Sequence, residues 1–347
     1  MVVEATAPTR IDLAGGTLDI YPLYLFEEGG ITVNMAIDVV SRVRLTTRED
    51  GRVRIRSLDT GAELEAESAE ALPLGGPLDL IARLVRFYRP ATGLNVETRS
   101  SAPKGSGLGA SSSLLIATSG ALNVLNETGL PPERLIDCGA NLEAQNIRIP
   151  TGKQDYYPPL FGGVNALWFD VGENRVESLL VEERAREALE RRLILTFTGI
   201  PHFSGATNWD KVRNYIDGVG DTRERLAAIK RTALAMRECL LHGDLERFGA
   251  VLEEEWRNRR DLAQGVATPE TDRMMAAARD AGAIASKLCG AGGGGCMITW
   301  APEGREERVA AALETAGARR IPYRIAREGL NVVVNALDPV SCSARPG

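Results

Sequence analysis

The sequence predicts an α+β fold, on three observations. The first 60 residues carry mainly extended patterns, and two helical patterns follow one another directly in the middle of the first half. The second half, without its extra helices, has the element order β-α-β-β-α-β, which is the split βαβ motif. Separate groups of strands and helices are typical of the α+β class.

Strands open the first half of the chain, and helices follow. The apolar and alternating runs predict the strands, and apolar residues at helical spacing predict the helices. The predicted elements are, in order, a strand at 30–37, a hairpin formed by 43–47 and 53–56 that turns at Asp50-Gly51, a helix at 78–88, a strand at 94–99, helices at 110–126 and 132–147, and a strand at 164–169.

A polar segment at 182–191, predicted as a helix or linker, marks the expected boundary between two domains, 1–185 and 186–347. Beyond it the order of elements is different. The predicted elements of the second half are a strand at 193–198, helices at 222–241, 245–262 and 271–281, strands at 283–288 and 296–300, a helix at 306–316 and a strand at 323–327.

The composition excludes several classes of function. A net charge of −6 without clustered lysine and arginine argues against a nucleic-acid partner. No run of 18 apolar residues indicates a membrane span, and the first residues lack the basic and apolar parts of a signal peptide, so we expect a cytoplasmic protein. Five widely spaced cysteines, an odd number, fit a reducing compartment better than a disulfide framework.

Residues 103–113, Pro-Lys-Gly-Ser-Gly-Leu-Gly-Ala-Ser-Ser-Ser, form a predicted phosphate loop directly before a helix. Glycine at Gly105, Gly107 and Gly109 lets successive amide N–H groups converge on a phosphate, and the amino end of the following helix adds positive charge. The serine hydroxyls that follow can cap the helix, bind a phosphate oxygen or ligate Mg²⁺. The alternative is a glycine-rich turn before a serine-capped core helix, although three alternating glycines exceed what a turn requires.

Two familiar nucleotide motifs are excluded by their spacing. Lys104 lies at the wrong end of the phosphate loop for a Walker A motif, because no Gly-Lys-Ser follows Gly109. The second glycine cluster, residues 290–295, formally contains G-x-G-x-x-G, but a strand-like run follows it where a dinucleotide-binding motif needs a helix. This cluster is better interpreted as a tight connection between two strands that can approach a ligand closely.

Three motifs taken together resemble the GHMP kinase superfamily. They are Ala-Pro-Thr-Arg-Ile-Asp-Leu-Ala-Gly-Gly-Thr-Leu-Asp at 7–19, the phosphate loop, and Lys-Leu-Cys-Gly-Ala-Gly-Gly-Gly-Gly-Cys at 287–296. The resemblance spans nearly the whole chain. It implies an amino-terminal domain like domain 2 of ribosomal protein S5 and a ferredoxin-like carboxy-terminal domain, in agreement with the order of elements.

Within that superfamily the opening motif and residues 152–163 look most like the D-glycero-D-manno-heptose 7-phosphate kinases and related sugar 1-kinases. The sequence departs from their pattern in two places. One glycine is missing and Leu18 intervenes before Asp19, and Ala110 stands where a first serine is common. The phosphate site tolerates both changes, but they leave the identity of the sugar open.

The resemblance also implies residue roles in phosphoryl transfer. It places Asp155 as the group that accepts the proton of the sugar hydroxyl, with a turn-forming aspartate as the alternative. Glu143 and Ser111 are implied as Mg²⁺ ligands, unless Glu143 is an exposed helix residue. Lys153 or Arg10 is expected to balance charge near the transferred phosphate, or else to form a structural ion pair.

The remaining expected site residues bind the two substrates. The ATP-binding set is the phosphate loop from Pro103 to Ser112, namely Pro103, Lys104, Gly105, Ser106, Gly107, Leu108, Gly109, Ala110, Ser111 and Ser112. The sugar-binding set is Asp19 with its neighbours Gly16 and Thr17, together with Gly292 and Gly293 of the second glycine cluster. A helix cap is the alternative for Asp19. Tyr156, Tyr157 and Trp209 can stack on a sugar or a base, but such aromatic residues are more often core.

The sequence thus predicts an ATP- and Mg²⁺-dependent kinase that phosphorylates the anomeric hydroxyl of a small-molecule sugar, with D-glycero-D-manno-heptose 7-phosphate as the first candidate. Other acceptors stay open, namely galactose, fucose, glucuronate and mevalonate-like alcohols. A non-catalytic sensor of nucleotide and sugar is the alternative from a different class, since a fold can keep its pocket and lose its chemistry. Neither a nucleic acid nor a membrane is expected as a partner, and a homodimer is left open.

Overall fold

The computed structural model describes residues 1–179, 181–201 and 204–335, with the backbone alone at 204–207. The amino-terminal half, residues 1–179, consists of seven strands and five α-helices. Its elements are β1 (Val2–Ala14), α1 (Leu23–Phe26), β2 (Gly30–Arg48), β3 (Val53–Ser57), β4 (Glu63–Ala66), α2 (Asp79–Tyr88), β5 (Gly93–Ser100), α3 (Ala110–Leu125), α4 (Pro132–Ile147), a short 3₁₀ helix (Gln154–Tyr156), α5 (Tyr157–Phe161), β6 (Val164–Phe169) and β7 (Arg175–Ser178).

The carboxy-terminal half, residues 181–335, is richer in helix. Its elements are α6 (Glu183–Arg192), β8 (Leu193–Phe197), α7 (Ser204–Asp217), α8 (Thr222–Leu241), α9 (Leu245–Arg259), α10 (Pro269–Asp280), β9 (Ala285–Leu288), β10 (Cys296–Trp300), α11 (Glu306–Thr315), β11 (Arg319–Arg320) and β12 (Asn331–Asn335). The predicted helices and the strands at 94–99, 164–169, 193–198, 283–288 and 296–300 are confirmed with shifts of a few residues at their ends. No helix among the described residues is both long and apolar enough to cross a membrane.

The large sheet is organised around β2, which is 19 residues long. On one side β2 pairs with β1 along most of its length, and on the other its first part pairs with β6 and its second part with β5. Most residues of β1 and of the first part of β2 are buried, because both faces of the sheet are covered. One face packs against α2 and α3, and the other packs against helices of the carboxy-terminal half.

The predicted hairpin between residues 43–47 and 53–56 is wrong. The two strands form, but β5 lies between them, antiparallel to β2 and parallel to β3. The alternation of apolar residues determines which face of a strand is buried, yet it does not determine which strand is its neighbour. Gly93 at the start of β5 permits this insertion, because a Cβ atom there would lie 2.8 Å from the carbonyl oxygen of Arg52.

The small sheet has the order β11-β8-β10-β9 with antiparallel neighbours, which is the predicted split βαβ arrangement. Its fourth strand is β11, so the predicted strand at 323–327 is wrong. That segment instead follows the large sheet: the amide of Ala326 donates to the carbonyl of Ala36, and the amide of Arg324 donates to Asp38 Oδ1. Its apolar residue Ile325 is buried in the core between the two halves, which accounts for the alternating pattern.

The last described strand, β12, returns to the large sheet and pairs with β1. The chain therefore crosses from one half to the other a second time after β11. The division at residues 185 and 186 stays a prediction. Its two parts are joined both by this strand and by a core that contains Ile31 and Val33 from β2 together with Phe248 and Trp300 from the carboxy-terminal half.

Candidate active site

The phosphate loop ends in the first turn of α3. Gly105, Gly107 and Gly109 all have positive φ angles near 70°, a conformation that glycine adopts without the strain of other residues. Among the described residues no side chain caps α3, whose N-cap is Gly109. The first amide N–H groups of the helix therefore have neither an intrahelical partner nor a capping side chain, as an anion site requires.

Two other segments fix the phosphate loop in place. From β1, the Arg10 amide donates to the Leu108 carbonyl at 3.0 Å, and Arg10 Nη1 donates to the Gly107 carbonyl at 2.5 Å. From the carboxy-terminal half, the Cys296 amide donates to the Ser106 carbonyl at 2.6 Å. Both halves of the protein thus hold this loop through its backbone carbonyls.

The second glycine cluster, residues 290–295 and called the glycine loop below, lies directly against the phosphate loop. A Cβ atom at Gly295 would lie 2.7 Å from the Ser106 carbonyl oxygen, and one at Gly290 would lie 3.1 Å from that of Gly107. The two expected sugar ligands Gly292 and Gly293, in the middle of this loop, have a different neighbour. They contact Val266, whose carbonyl accepts from the Gly293 amide at 2.7 Å.

Glu143 on α4 is buried, with 8 % of its surface exposed, so the alternative of an exposed helix residue is wrong. Its carboxylate accepts hydrogen bonds from Ser111 Oγ at 2.7 Å, from Ser112 Oγ at 3.3 Å and from the Tyr156 hydroxyl. Burial raises the pKa of Glu143, and the bonds from Tyr156 and Ser111 only partly offset this effect. The structure thus brings together the two residues that the resemblance implies as Mg²⁺ ligands.

These two residues fit a magnesium ion. The described residues contain no cluster of three acidic, histidine or cysteine side chains, so any cation must take further ligands from elsewhere. Mg²⁺ meets this condition, because it prefers oxygen ligands and takes most of them from water and from substrate phosphates. The Glu143 carboxylate is buried beside hydroxyl groups and near the like charge of Asp155, an environment in which a cation would stabilise its ionised form.

Asp155 lies in the 3₁₀ helix Gln154–Tyr156 and remains 27 % exposed. One of its carboxylate oxygens, Oδ1, accepts from Arg10 Nε at 2.8 Å and lies 2.7 Å from Arg10 Nη2. Among the described residues, Oδ2 has no hydrogen-bond partner. Burial alone would lower the pKa of Arg10, but the nearby carboxylates of Asp155 and Asp12 raise it above its ordinary value, so the guanidinium stays charged.

Lys153, the other expected cation, is not paired with Asp155 among the described residues. Its Nζ lies 3.0 Å from Asp137 Oδ1 on α4, and both side chains are partly exposed. Of the two candidates, Arg10 is therefore the one that contacts Asp155 and the phosphate loop.

Asp19 joins two loops at the site. Its Oδ1 accepts from the Thr17 amide and its Oδ2 from the Gln154 amide, both at 3.0 Å. It does not cap α1, whose N-cap is Pro22. Burial, together with the charge of Asp155, raises the pKa of Asp19 to about 6. Gly152 is required opposite Asp19, because a Cβ atom there would collide with the carboxylate.

Behind Asp19, the two halves meet in a buried group of charges that sequence reasoning missed. Lys287 Nζ lies 3.1 Å from Asp12 Oδ2, and Glu255 pairs with Arg259 within α9. Lys211 on α7 donates to the Ala291 carbonyl in the glycine loop at 3.1 Å, and its pKa is lowered to about 7, mainly by burial. Spacing of four residues on a helix gave a signal for Glu255 and Arg259, but solvent-exposed pairs show the same spacing.

The three aromatic residues near the motifs have different environments. Tyr156 and Tyr157 are buried, as the core interpretation predicts, whereas Trp209 is exposed. Tyr156 also donates its hydroxyl to Glu143, and burial raises its pKa well above the ordinary value. No sequence signal beyond its position next to Asp155 indicated this contact.

The site combines an anion-binding loop at a helix amino end, a buried carboxylate beside serine hydroxyls, and a carboxylate held by an arginine. These are the parts that phosphoryl transfer requires, which makes the protein a phosphotransferase by class. Two family models match the chain in order, "GHMP kinases N terminal domain" at residues 78–163 and "GHMP kinases C terminal" at residues 236–319.

Relatives match over nearly the whole chain. D-glycero-alpha-D-manno-heptose 7-phosphate kinase of Campylobacter jejuni is 29 % identical over 334 residues, which cover 94 % of this chain and 98 % of that protein. Mevalonate kinase of Thermococcus sibiricus is 28 % identical over 96 % of this chain and 98 % of its own. The crystal structure of a D-glycero-D-manno-heptose 1-phosphate kinase from Bacteroides thetaiotaomicron superposes with a TM-score of 0.79 at 26 % identity, covering 96 % of this chain and 99 % of that one. The chain therefore contains both the amino-terminal and the carboxy-terminal domain of the GHMP kinases.

Proposed function

We propose that the protein is an ATP- and Mg²⁺-dependent sugar kinase that phosphorylates the anomeric hydroxyl of D-glycero-D-manno-heptose 7-phosphate. One observation carries the catalytic part of this proposal. The guanidinium of Arg10 contacts both Oδ1 of Asp155 and the carbonyl of Gly107, so a single side chain fixes the carboxylate beside the phosphate loop. The sugar itself is proposed from the opening motif at 7–19 and from the heptose phosphate kinases among the relatives.

The side chains at the site divide the work of the reaction. Asp155 receives the proton of the acceptor hydroxyl at Oδ2, while its other oxygen stays bonded to Arg10. The hydroxyl oxygen forms a new bond to the γ-phosphorus as the bond to the β-phosphate oxygen breaks, which gives ADP and the 1,7-bisphosphate of the heptose. Arg10 orients Asp155 and keeps positive charge beside the phosphate loop.

The phosphate loop and the Glu143–Ser111 pair serve the nucleotide. The unpaired amide groups at the start of α3 bind phosphate oxygens. Glu143 and Ser111 would hold Mg²⁺, which when bound neutralises charge on the phosphates. Tyr156 keeps the Glu143 carboxylate oriented toward Ser111 through its hydrogen bond.

A substrate panel tests the reaction and its acceptor together. ADP release is measured with ATP and Mg²⁺ against heptose 7-phosphate, the unphosphorylated heptose, galactose, fucose, glucuronate and mevalonate. We expect the highest kcat/KM with heptose 7-phosphate. Preferred turnover of mevalonate or of another sugar would keep the chemistry and overturn the acceptor, and binding of ATP without turnover of any acceptor would support a sensor.

Two matched pairs of variants test the residue roles. Asp155→Asn should lower kcat by a factor of about 10² to 10⁴, the usual contribution of a general base, whereas Asp137→Asn on neighbouring α4 should stay within a few-fold of wild type. Glu143→Gln should raise the Mg²⁺ concentration needed for half-maximal activity, whereas Glu133→Gln, an exposed residue on the same helix, should not. Wild-type kinetics in Asp155→Asn would contradict the assignment of the base.

A further inference from the structure

A fully buried ion pair from the carboxy-terminal half contacts a tight turn of the amino-terminal half. Glu255 and Arg259 lie one turn apart on α9 and have 0 % and 1 % of their surfaces exposed. Glu255 Oε1 accepts from the Gly15 amide at 3.3 Å, and Arg259 Nη2 donates to the Gly16 carbonyl at 2.8 Å. Arg259 Nη1 also donates to Thr17 Oγ1 at 3.4 Å. The pair therefore bonds to every residue of the turn at 15–17.

This turn needs external support. Gly15 and Thr17 both have a φ of 86°, which glycine adopts freely but which is strained for a β-branched residue such as threonine. A residue in such a conformation costs on the order of 1–3 kcal/mol and persists only where its surroundings impose it. The bonds from Glu255 and Arg259 supply that constraint, together with the bond from Thr232 Oγ1 that fixes Glu255 Oε2 at 2.8 Å.

From the turn, a continuous series of hydrogen bonds leads to the catalytic segment. The Thr17 amide donates to Asp19 Oδ1, and Asp19 Oδ2 accepts from the amide of Gln154, the residue before Asp155. The backbone carbonyl of Asp19 also accepts from the Lys153 amide at 3.3 Å. All of these bonds involve buried or partly buried groups, so water competes little for them.

We infer that Glu255 and Arg259 are positioning residues for the reaction: by holding the 15–17 turn they fix Asp19, and through Asp19 they fix the backbone that carries Asp155. This inference rests on the proposed role of Asp155 as the base. It makes the geometry of the base, which belongs to the amino-terminal half, dependent on the docking of α9 from the other half. A displacement of about 1 Å in such a group can cost about 10²-fold in rate, which sets the scale of the expected effect.

A second contact between the halves serves as a control for the contact made by Arg259. Lys230 on α8 donates to the carbonyls of Glu27 at 2.6 Å and Glu28 at 3.2 Å, so it also joins the two halves through backbone oxygens. Within the part of the chain that the structure describes, neither of these bonds leads to Asp19 or Asp155. Lys230→Met and Arg259→Met therefore each remove two hydrogen bonds between the halves, and of these two variants only Arg259→Met interrupts the hydrogen-bond series.

Hydrogen exchange of the unliganded protein is the first test, because its outcome does not depend on any substrate. Arg259→Met should raise amide exchange in peptides covering 15–19 and 152–156 by at least tenfold, and Lys230→Met should leave both segments at the wild-type rate. Faster exchange at 15–17 without any change at 152–156 would overturn the inference, even if the proposed function were also wrong. If Arg259→Met leaves Glu255 unpaired and does not fold, the Glu255→Gln/Arg259→Met double variant removes both charges and is judged by the same exchange rates.

Kinetics then separate positioning from a merely structural role. Well below the melting temperature, Arg259→Met should lower kcat by a factor of about 10 to 10² with less than a threefold change in the acceptor KM. Combined with Asp19→Asn, the two losses should not add, because both variants interrupt one series of bonds. Additive losses, or an equal fall in kcat for Lys230→Met, would refute the inference and leave the assignment of Asp155 intact.

Discussion

Replacing Arg10 by methionine removes the guanidinium group that joins Asp155 to the phosphate loop, while keeping a long unbranched side chain. Arg10 is 3 % exposed, and three of its nitrogens contact Asp155 Oδ1 or the Gly107 carbonyl. Hydrogen bonds to charged groups contribute about 1.5–3 kcal/mol each. Because the two contacts to Asp155 share one oxygen, we count them as a single strong interaction of about 3 kcal/mol, which corresponds to a loss of about 10²-fold in kcat.

Lys153→Met is the matched comparison, because it removes a positive charge two residues before Asp155. Its partner Asp137 is 45 % exposed, and such surface pairs contribute about 0–1 kcal/mol. The expected loss is at most about fivefold. Arg10→Lys should lie between the two variants, since one ammonium group keeps the charge but lacks the geometry to contact Asp155 and the Gly107 carbonyl together.

The assay is steady-state ADP release at saturating ATP and acceptor, together with a thermal melt of each variant. The melt is needed because a buried arginine also contributes to stability, and kcat is compared only at temperatures where every variant is folded. A larger loss of kcat in Lys153→Met than in Arg10→Met would refute the reasoning, since it would place the catalytic cation at the partly exposed position.

Two further predictions concern stability and nucleotide binding. The pKa of Asp19 is about 6 in the folded state, against its ordinary value of 3.8 in the unfolded state. Its ionisation should therefore cost about 3 kcal/mol of stability as the pH rises from about 4 to 6. Melts from pH 4 to 8 should show the stability of wild type falling relative to that of Asp19→Asn as the pH rises, and parallel curves would contradict the buried carboxylate. A Cβ atom at Gly107 would lie 2.7 Å from the Cys289 carbonyl oxygen, so Gly107→Ala should weaken the thermal protection by ATP at least tenfold in apparent Kd. Gly61→Ala, with the same positive φ and open space around it, is the control for backbone strain alone.

The sequence predicted those features that depend on neighbouring residues in the chain. Apolar spacing predicted α3 and α4 almost to the residue, and alternating glycines predicted the loop that precedes α3. Pairing between distant segments could not be predicted in the same way. The insertion of β5 beside β2 requires knowledge of which buried strands meet, and the alternating pattern of residues 323–327 indicates burial without saying against which half of the protein.

The same limit applies to the candidate site residues. Motif context led to the proposal of Asp155, Glu143 and Ser111, and left Arg10 and Lys153 as equal candidates for the nearby cation. Both are basic residues beside a motif, so only their distance from Asp155 in the folded protein distinguishes them. Lys153 is close to Asp155 in the chain but pairs with Asp137, whereas Arg10, 145 residues away, contacts the carboxylate. Proximity in sequence was therefore the weaker indicator.

Strand β1 explains why the site depends on both halves of the protein. Arg10 and Asp12 lie two residues apart on this strand. Arg10 contacts Asp155 and the phosphate loop, and Asp12 pairs with Lys287. Lys287 belongs to β9, the strand that precedes the glycine loop. A buried pair such as Asp12–Lys287 loses hydration that its attraction barely offsets, so net stability is a weak reason for it. Its contribution is geometric. Because β1 is paired with β2 along its length, and over residues 2–6 also with β12, a shift of the strand would disturb its contacts to Asp155, to the phosphate loop and to the strand before the glycine loop together. The rigidity of this one strand is therefore what keeps the three parts of the site in register.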